Sequence, residues 1–274
     1  MHQIELEWIQ QLQSVLRSTG MDYFFIAWNY VDTLAFSIFL ISAVWYLINR
    51  RIGIRLLYIL ILSAVINKFL KGFIGLPRPC QIDSLVGVLC FPSPGFPSGA
   101  AQTAILIAGI VFIETRKTLY RWLGVFFALV LSFSRIYLGL HYFSDILGGW
   151  VIGGLLLVVY SKLFPLLEKK WKRYLFLFPI LLLGFAQAKV PRLFGFSIGV
   201  AIGLLLYEKS KKYWQKGWRS HWLQFLSVLI GIFVLFLGMH FFPAFELFFA
   251  LAIGFWLSFL GAWSVQKIRM FIHR

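Results

Sequence analysis

Three short segments of the chain carry residues whose types and spacing could do chemistry together. Lys71 and Arg78 are separated by six residues, and Pro79 follows the arginine. Ser98 and Gly99 come directly after Pro97. Arg135, His141 and Asp145 complete the set, with five residues between the first two and three between the last two. Three cations gathered at one point require an anion, and the guanidinium fork suits phosphate oxygens. A Ser-Gly pair that opens a helix adds free N–H groups and the positive end of a dipole. Glycine there also lets the backbone approach a ligand closely. A carboxylate four residues from a histidine shares its face when the turn is helical. By holding one imidazole nitrogen it leaves the other free as nucleophile or base. A nucleophilic histidine facing a bound phosphate implies phosphoryl transfer through a phosphohistidine. No His/Cys set with metal-ligand spacing accompanies these residues, so neither a metal nor a cofactor is expected.

The elements that must position these groups are membrane spans. The chain has 274 residues, of which 60% are hydrophobic and 13% charged. Disorder needs the opposite balance, and soluble domains run at about 45–50% apolar and about 25% charged. The expected class is an all-α, polytopic helical membrane protein. Apolar runs between charge clusters predict about nine spans, near 24–48, 54–75, 98–113, 119–140, 145–163, 174–190, 192–207, 221–241 and 243–265. Ile4, Trp8, Ile9, Leu12 and Leu16 recur at helical spacing in 1–22, which predicts an amphipathic helix on the membrane surface and no signal peptide. Three domains follow: the interfacial helix 1–22, a five-span core 23–165, and a four-span module 166–274. The last contains no catalytic motif. Its role reads either as structural or as a second lipid-binding wall.

The net charge of +16 would suit a nucleic-acid binder. Its distribution points elsewhere. Of 26 Lys and Arg residues, 19 fall on one side of the predicted spans and 7 on the other. The positive-inside rule makes the rich side cytoplasmic, and nucleic acid is no longer needed as a partner. The N-terminus and the three reactive segments are then extracytoplasmic and the C-terminus is cytoplasmic. Asn29, Asp32, Asn67 and Lys68 interrupt the apolar runs near the outer side and are candidates for function, because polar groups at such depth are costly. Asp32 and Lys68 lie at similar depth and are expected to pair.

Taken together, the segments resemble the signature of the type 2 phosphatidic acid phosphatase/haloperoxidase superfamily: K-x6-R-P, then P-S-G-H, then S-R-x5-H-x3-D. The match covers about 65–150, and the five-span layout of 1–165 resembles bacterial members. The resemblance implies that Lys71, Arg78, Ser98, Gly99 and Arg135 bind phosphate, that His141 is the nucleophile and that Asp145 orients it. It implies a lipid phosphate or diphosphate substrate, hydrolysis or transfer without a metal, vanadate as a phosphate mimic, and a bacterial inner or cell membrane as the location.

One position departs. Where the family has the histidine that serves as general acid, this chain has Ala100. Loss of a general acid typically costs about 10²–10⁴ in rate. Three readings stay open: a disabled enzyme whose histidine has been replaced, a substrate such as a polyprenyl diphosphate whose leaving group needs the proton less, or a protein that binds phospholipid or transports it without turnover. His240 is a weak candidate for a substitute acid, and Asp83, Tyr137 and Tyr142 are weaker. Cys80 and Cys90 are the only cysteines. They fall on the outer side, where a disulfide is expected, closing a loop of about eleven residues worth about 2–3 kcal/mol.

Overall fold

The computed structural model describes residues 2–164, 191–210 and 218–272. All regular elements among them are helical, with no strand. The expected span 174–190 and Lys169, Lys170, Lys172, Arg173, Lys211, Lys212 and Lys216 lie outside the described residues. By length and hydropathy, five helices could cross a membrane, or six if a bent pair counts as one span. The pair is Thr19–Asp32 with Leu34–Ile48, bent by 63° at Thr33. Two further apolar helices, Gly99–Glu114 and Arg192–Tyr207, are shorter. Sixteen residues at about 1.5 Å each reach about 24 Å, short of a 30 Å hydrocarbon core.

The chain forms two compact units: Met1–Ser37 with Ile59–Leu166, and Ile38–Tyr58 with Leu167–Arg274. The first holds α1 (His2–Leu16), α2 (Thr19–Asn29), the C-terminal portion of α4 (Arg50–Ile74), the short α5 (Pro79–Ile82), α6 (Gly99–Glu114), α7 (Thr118–Tyr137) and α8 (Phe143–Val158). Small residues set its packing. Ala100, Ala104 and Ala108 form a stripe on α6 against Ala128 and Leu131 of α7. Gly149 and Gly153 bring α8 onto the head of α6, so that a Cβ at Gly149 would stand 2.5 Å from the Ser98 carbonyl oxygen. Such close approach is the usual way spans associate when lipid is as apolar as the side chains.

α1 turns polar groups inward. Glu5, Ile9 and Gln13 are its buried residues. Gln13 Nε2 donates to the carbonyls of Val86 and Tyr137, at 2.8 and 2.7 Å. Glu5 accepts from the Ser144 N–H and hydroxyl at the start of α8. Ile4, Trp8, Val15 and Leu16 are left exposed. Of the five apolar positions that define the face in the sequence, only Ile9 enters the core, because the loops beneath present carbonyls that only polar side chains can satisfy.

In the second unit, the stretch 38–58 packs with the C-terminal helices rather than forming a unit with the rest of 23–165. Tyr46 donates to the Leu257 carbonyl, and Phe39 meets Phe225. Its other helices are α9 (Pro191–Ser210), α10 (Trp218–Phe241), α11 (Glu246–Phe255) and α12 (Gly261–Ile272). Gly199 of α9 and Gly254 of α11 allow those two backbones to touch.

Candidate active site

The nucleophile candidate sits on a turn that glycine permits. α7 ends at Tyr137, and Gly139 takes φ +69°. A Cβ there would collide with the Val86 carbonyl. The turn delivers His141 two residues ahead of α8, whose third residue is Asp145. The His141 Nδ1 lies 3.2 Å from Asp145 Oδ2, which also accepts the Tyr142 N–H at 3.0 Å. A carboxylate so placed holds the proton on Nδ1 and leaves the Nε2 lone pair outward. That lone pair faces Arg78 Nη1 at 3.1 Å.

Arg78 is fixed by its own loop. Its Nε donates to the Ser93 carbonyl at 2.7 Å, Nη2 to the Ser93 hydroxyl at 3.0 Å and Nη1 to the Leu140 carbonyl at 3.0 Å. The disulfide Cys80–Cys90 ties the two arms of that loop, with Cα atoms 5.7 Å apart. Arg135 comes from the last turn of α7. Its Nη1 donates to Asn29 Oδ1 and lies 3.9 Å from Asp32 Oδ2. Its Nε and Nη2 are buried and have no partner among the described residues, and its exposure is 2%. A buried guanidinium with unpaired N–H groups is an anion site by default.

These groups share one cavity of about 250 Å³, lined by Asn29, Asp32, Thr33, Arg78, Phe91, Arg135, Leu140 and His141. Burial comes first, and Arg78, Lys71 and Arg135 add to it, in holding the His141 imidazole well below its usual pKa of 6.5. The ring is therefore neutral, as a nucleophile must be. Among the described residues no cluster of His, Cys, Asp and Glu could hold a metal ion.

The other sequence candidates are not among the residues that line the cavity. Lys71 Nζ donates to the carbonyls of Pro94 and Gly95, at 2.6 and 2.7 Å, and so braces the loop that carries Ser93. Ser98 caps α6, accepting from the Ala101 N–H, and its own N–H donates to the Asp145 carbonyl at 3.0 Å. Gly99 lies against Asn67, where a Cβ would stand 3.1 Å from Oδ1. Ala100 is buried in the α6–α7 seam. Gln102 is bound to Ser63 and Asn67, Tyr137 donates to Asp22, and Asp83 accepts from Gln10. Tyr142 packs on His2. His240 belongs to the second unit, beside Phe241. The expected Asp32–Lys68 pair is replaced: the ion-pair partner of Asp32 is Arg135, and Lys68 is exposed. Asp32, just before the bend at Thr33, meets Arg135 at the end of α7. Thr33, Phe91, Ser93 and the Leu140 carbonyl were not anticipated. Ser93 had a signal in its turn-rich setting, FPSPGFPSG, whereas a backbone carbonyl leaves none.

Comparison with known proteins places this arrangement. The PAP2 superfamily model matches residues 52–169. Over 109 residues the chain is 31% identical to an undecaprenyl-diphosphatase of Sulfolobus acidocaldarius, covering 38% of this chain and 52% of the relative. Over 98 residues it is 34% identical to a lipid A 4'-phosphatase of Bacteroides thetaiotaomicron, covering 32% and 42%. Over 131 residues it is 30% identical to phosphatidylglycerophosphatase B of Bacillus subtilis, covering 44% and 61%. The matched stretch thus spans about half the length of these curated relatives. The crystal structure of Aquifex aeolicus LpxE aligns at 24% identity and a TM-score of 0.51, covering 57% of this chain and 94% of that one. A transmembrane PAP2-type phosphatidylglycerolphosphate phosphatase from Bacillus subtilis aligns at 22% and 0.51, covering 61% and 88%. The stretch matched by the PAP2 superfamily model includes Arg78, Arg135 and His141.

Proposed function

We propose that the chain is an integral-membrane phosphatase or phosphotransferase that acts on a lipid phosphate or diphosphate through a phosphohistidine at His141. One observation carries this reading. His141 Nε2 accepts from Arg78 Nη1 and lines the same cavity as Arg135, whose Nε and Nη2 are buried without a hydrogen-bond partner among the described residues. A phosphoryl group bound by both guanidiniums puts phosphorus in front of Nε2. Asp145 holds the imidazole and stabilises the positive charge that develops as the P–N bond forms. Arg78 and Arg135 neutralise the equatorial oxygens. Lys71 holds the Pro94 and Gly95 carbonyls of the loop that follows Ser93, and the Ser98 N–H holds the backbone at Asp145. The names of the three curated relatives all describe lipid phosphatases, which supports a lipid substrate. A leaving phosphate tolerates negative charge better than an alkoxide does, so with Ala100 the less demanding substrate is a diphosphate. The positive-inside pattern supports a site and an N-terminus on the extracytoplasmic face of a cell membrane, with the C-terminus inside.

The test is phosphate release by purified protein in detergent, with a polyprenyl diphosphate beside phosphatidic acid. Turnover is expected to fall to background in His141→Ala, and acid-labile phosphate is expected on His141 in quenched reactions. Silence of the unaltered protein on both substrates, with retained lipid binding, would replace the enzyme by a phospholipid binder or transporter on the same scaffold.

A further inference from the structure

Transfer to His141 leaves one proton unassigned. The oxygen that departs from phosphorus must be protonated if it belongs to an alcohol. His141 cannot supply that proton, since its Nδ1 is held by Asp145 and its Nε2 bonds to phosphorus. The head of α6 cannot either, because Ala100 is buried in an apolar seam. Of the residues that line the cavity, guanidiniums do not give up protons near neutral pH, and the amide of Asn29 and the hydroxyl of Thr33 are poor acids. The remaining ionisable side chain is Asp32. We infer that Asp32 is the catalytic acid of this site, delivering the proton to the leaving oxygen of a lipid phosphate monoester. The inference rests on the phosphatase reading above and extends it to a substrate class.

Four observations support it. Asp32 lies at the break of the first span, in the turn Tyr30–Asp32, so its carboxyl is presented at a bend. About a third of the side chain is accessible (33%), as a group that must exchange protons with water requires. The two arginines order the cavity. Arg78 touches His141, and Arg135 is the cation nearest Asp32. A phosphoryl group held between them would have the nucleophile beside Arg78 and the carboxyl beside Arg135, the two flanks that an in-line displacement needs. Charge also balances. Two guanidiniums offset a phosphoryl dianion when Asp32 carries a proton, whereas an ionised Asp32 would leave the cavity with excess negative charge.

The step is balanced. Nε2 forms its bond to phosphorus as the P–O bond to the lipid breaks. The electron pair stays on the departing oxygen, which takes the proton of Asp32 and leaves as an alcohol. Asp32, now ionised, then takes a proton from a water whose oxygen attacks phosphorus. The P–N bond breaks, inorganic phosphate leaves, and Asp32 is protonated again.

The experiment is Asp32→Asn, assayed on phosphatidic acid and on a polyprenyl diphosphate, with His141→Ala alongside and vanadate inhibition as the measure of an intact anion site. For phosphatidic acid, kcat/KM is expected to fall by about 10²–10⁴, the usual worth of a general acid. The diphosphate, whose leaving group is already acidic, is expected to change by less than about tenfold, and vanadate inhibition is expected to be kept or strengthened. Equal losses on both substrates with weakened vanadate inhibition would make Asp32 a support for Arg135 and overturn the inference. Unchanged turnover of phosphatidic acid would overturn it too. Absence of any His141-dependent activity in the unaltered protein would instead remove the phosphatase reading on which it stands.

Discussion

Asp145→Asn separates the chemistry of the site from its architecture. One oxygen, Oδ2, does both jobs: it receives the Tyr142 N–H that starts α8 and it holds His141 Nδ1. An asparagine in the same rotamer keeps an acceptor there, so the helix start and the imidazole tautomer survive. What disappears is the negative charge. At 3.2 Å, with an effective dielectric near 20, a full positive charge on the ring would lose about 5 kcal/mol of stabilisation. Only part of that charge has developed at the transition state, so about 3–5 kcal/mol is a fair range, or about 10²–10⁴ in kcat. Stability is expected to move the other way or not at all. The second oxygen, Oδ1, is buried without a hydrogen-bond partner among the described residues, so the charge it shares is a burden to the fold. The assay is single-turnover phosphate release beside a thermal melt in the same detergent. A variant within tenfold of the unaltered protein would refute the role given to Asp145. A large fall in melting temperature accompanying the rate loss would make the residue structural.

Three further outcomes follow from the same geometry. The His141 pKa is depressed by burial and by three cations, so its neutral, reactive form persists as pH falls below 6.5. Corrected for titration of the substrate, kcat/KM is expected to stay level from pH 7.5 to 6.5 and to fall only at lower pH; an acid limb centred at 6.5 or above refutes the assignment. Gly149→Ala puts a methyl group 2.5 Å from the Ser98 carbonyl oxygen and should destabilise by about 1–3 kcal/mol, while Gly154→Ala, which meets nothing within 4 Å, should not; equal melting temperatures would contradict the α6–α8 packing. The double change Cys80→Ser, Cys90→Ser opens the loop that carries Arg78 and should lower stability by about 2–3 kcal/mol, with a rise in KM; unaltered unfolding and KM would show that Ser93 and the Leu140 carbonyl suffice to hold Arg78.

Much of this was legible because it is local in sequence. Hydropathy marked the helices of both units, since a span is a property of about twenty consecutive side chains. The Arg135, His141, Asp145 spacing is likewise a single turn between two helices, and it puts imidazole and carboxylate in contact. What the chain order hid depends on how distant segments are bent. Asp32 and Lys68 share a depth along their spans, yet the break at Thr33 takes Asp32 to Arg135. The inward face of α1 is hidden in the sequence for a related reason. Its apolar periodicity is real, but the carbonyls of Val86 and Tyr137 and the exposed start of α8 draw Gln13 and Glu5 inward. The grouping of 38–58 with the C-terminal helices has no local mark at all, because it rests on pairings such as Tyr46 with Leu257, which are 211 residues apart.

Ala100 ties these threads together. Three alanines at 100, 104 and 108 give α6 a surface narrow enough for α7 to lie against it, with Trp28 of α2 filling the margin. Phe25 of α2 packs in turn on Tyr137 at the end of α7. The two contacts fix the end of α2, and with it Asn29 and the turn that bears Asp32, against Arg135. A histidine side chain at position 100 would overpack the cluster against which Trp28 rests. The group that resemblance would assign to proton delivery and the group the cavity offers for it thus compete for one packing arrangement. With alanine at the head of α6, α2 settles close and a carboxyl enters the cavity from the bend of the first span. With histidine there, overpacking would push α2 outward. On this reasoning Ala100→His should loosen the Asn29–Arg135 contact, cost about 1–3 kcal/mol of stability, and make activity on phosphatidic acid less dependent on Asp32. A double-mutant cycle between Ala100→His and Asp32→Asn measures that coupling, and strict additivity of the two changes would show that the positions act independently.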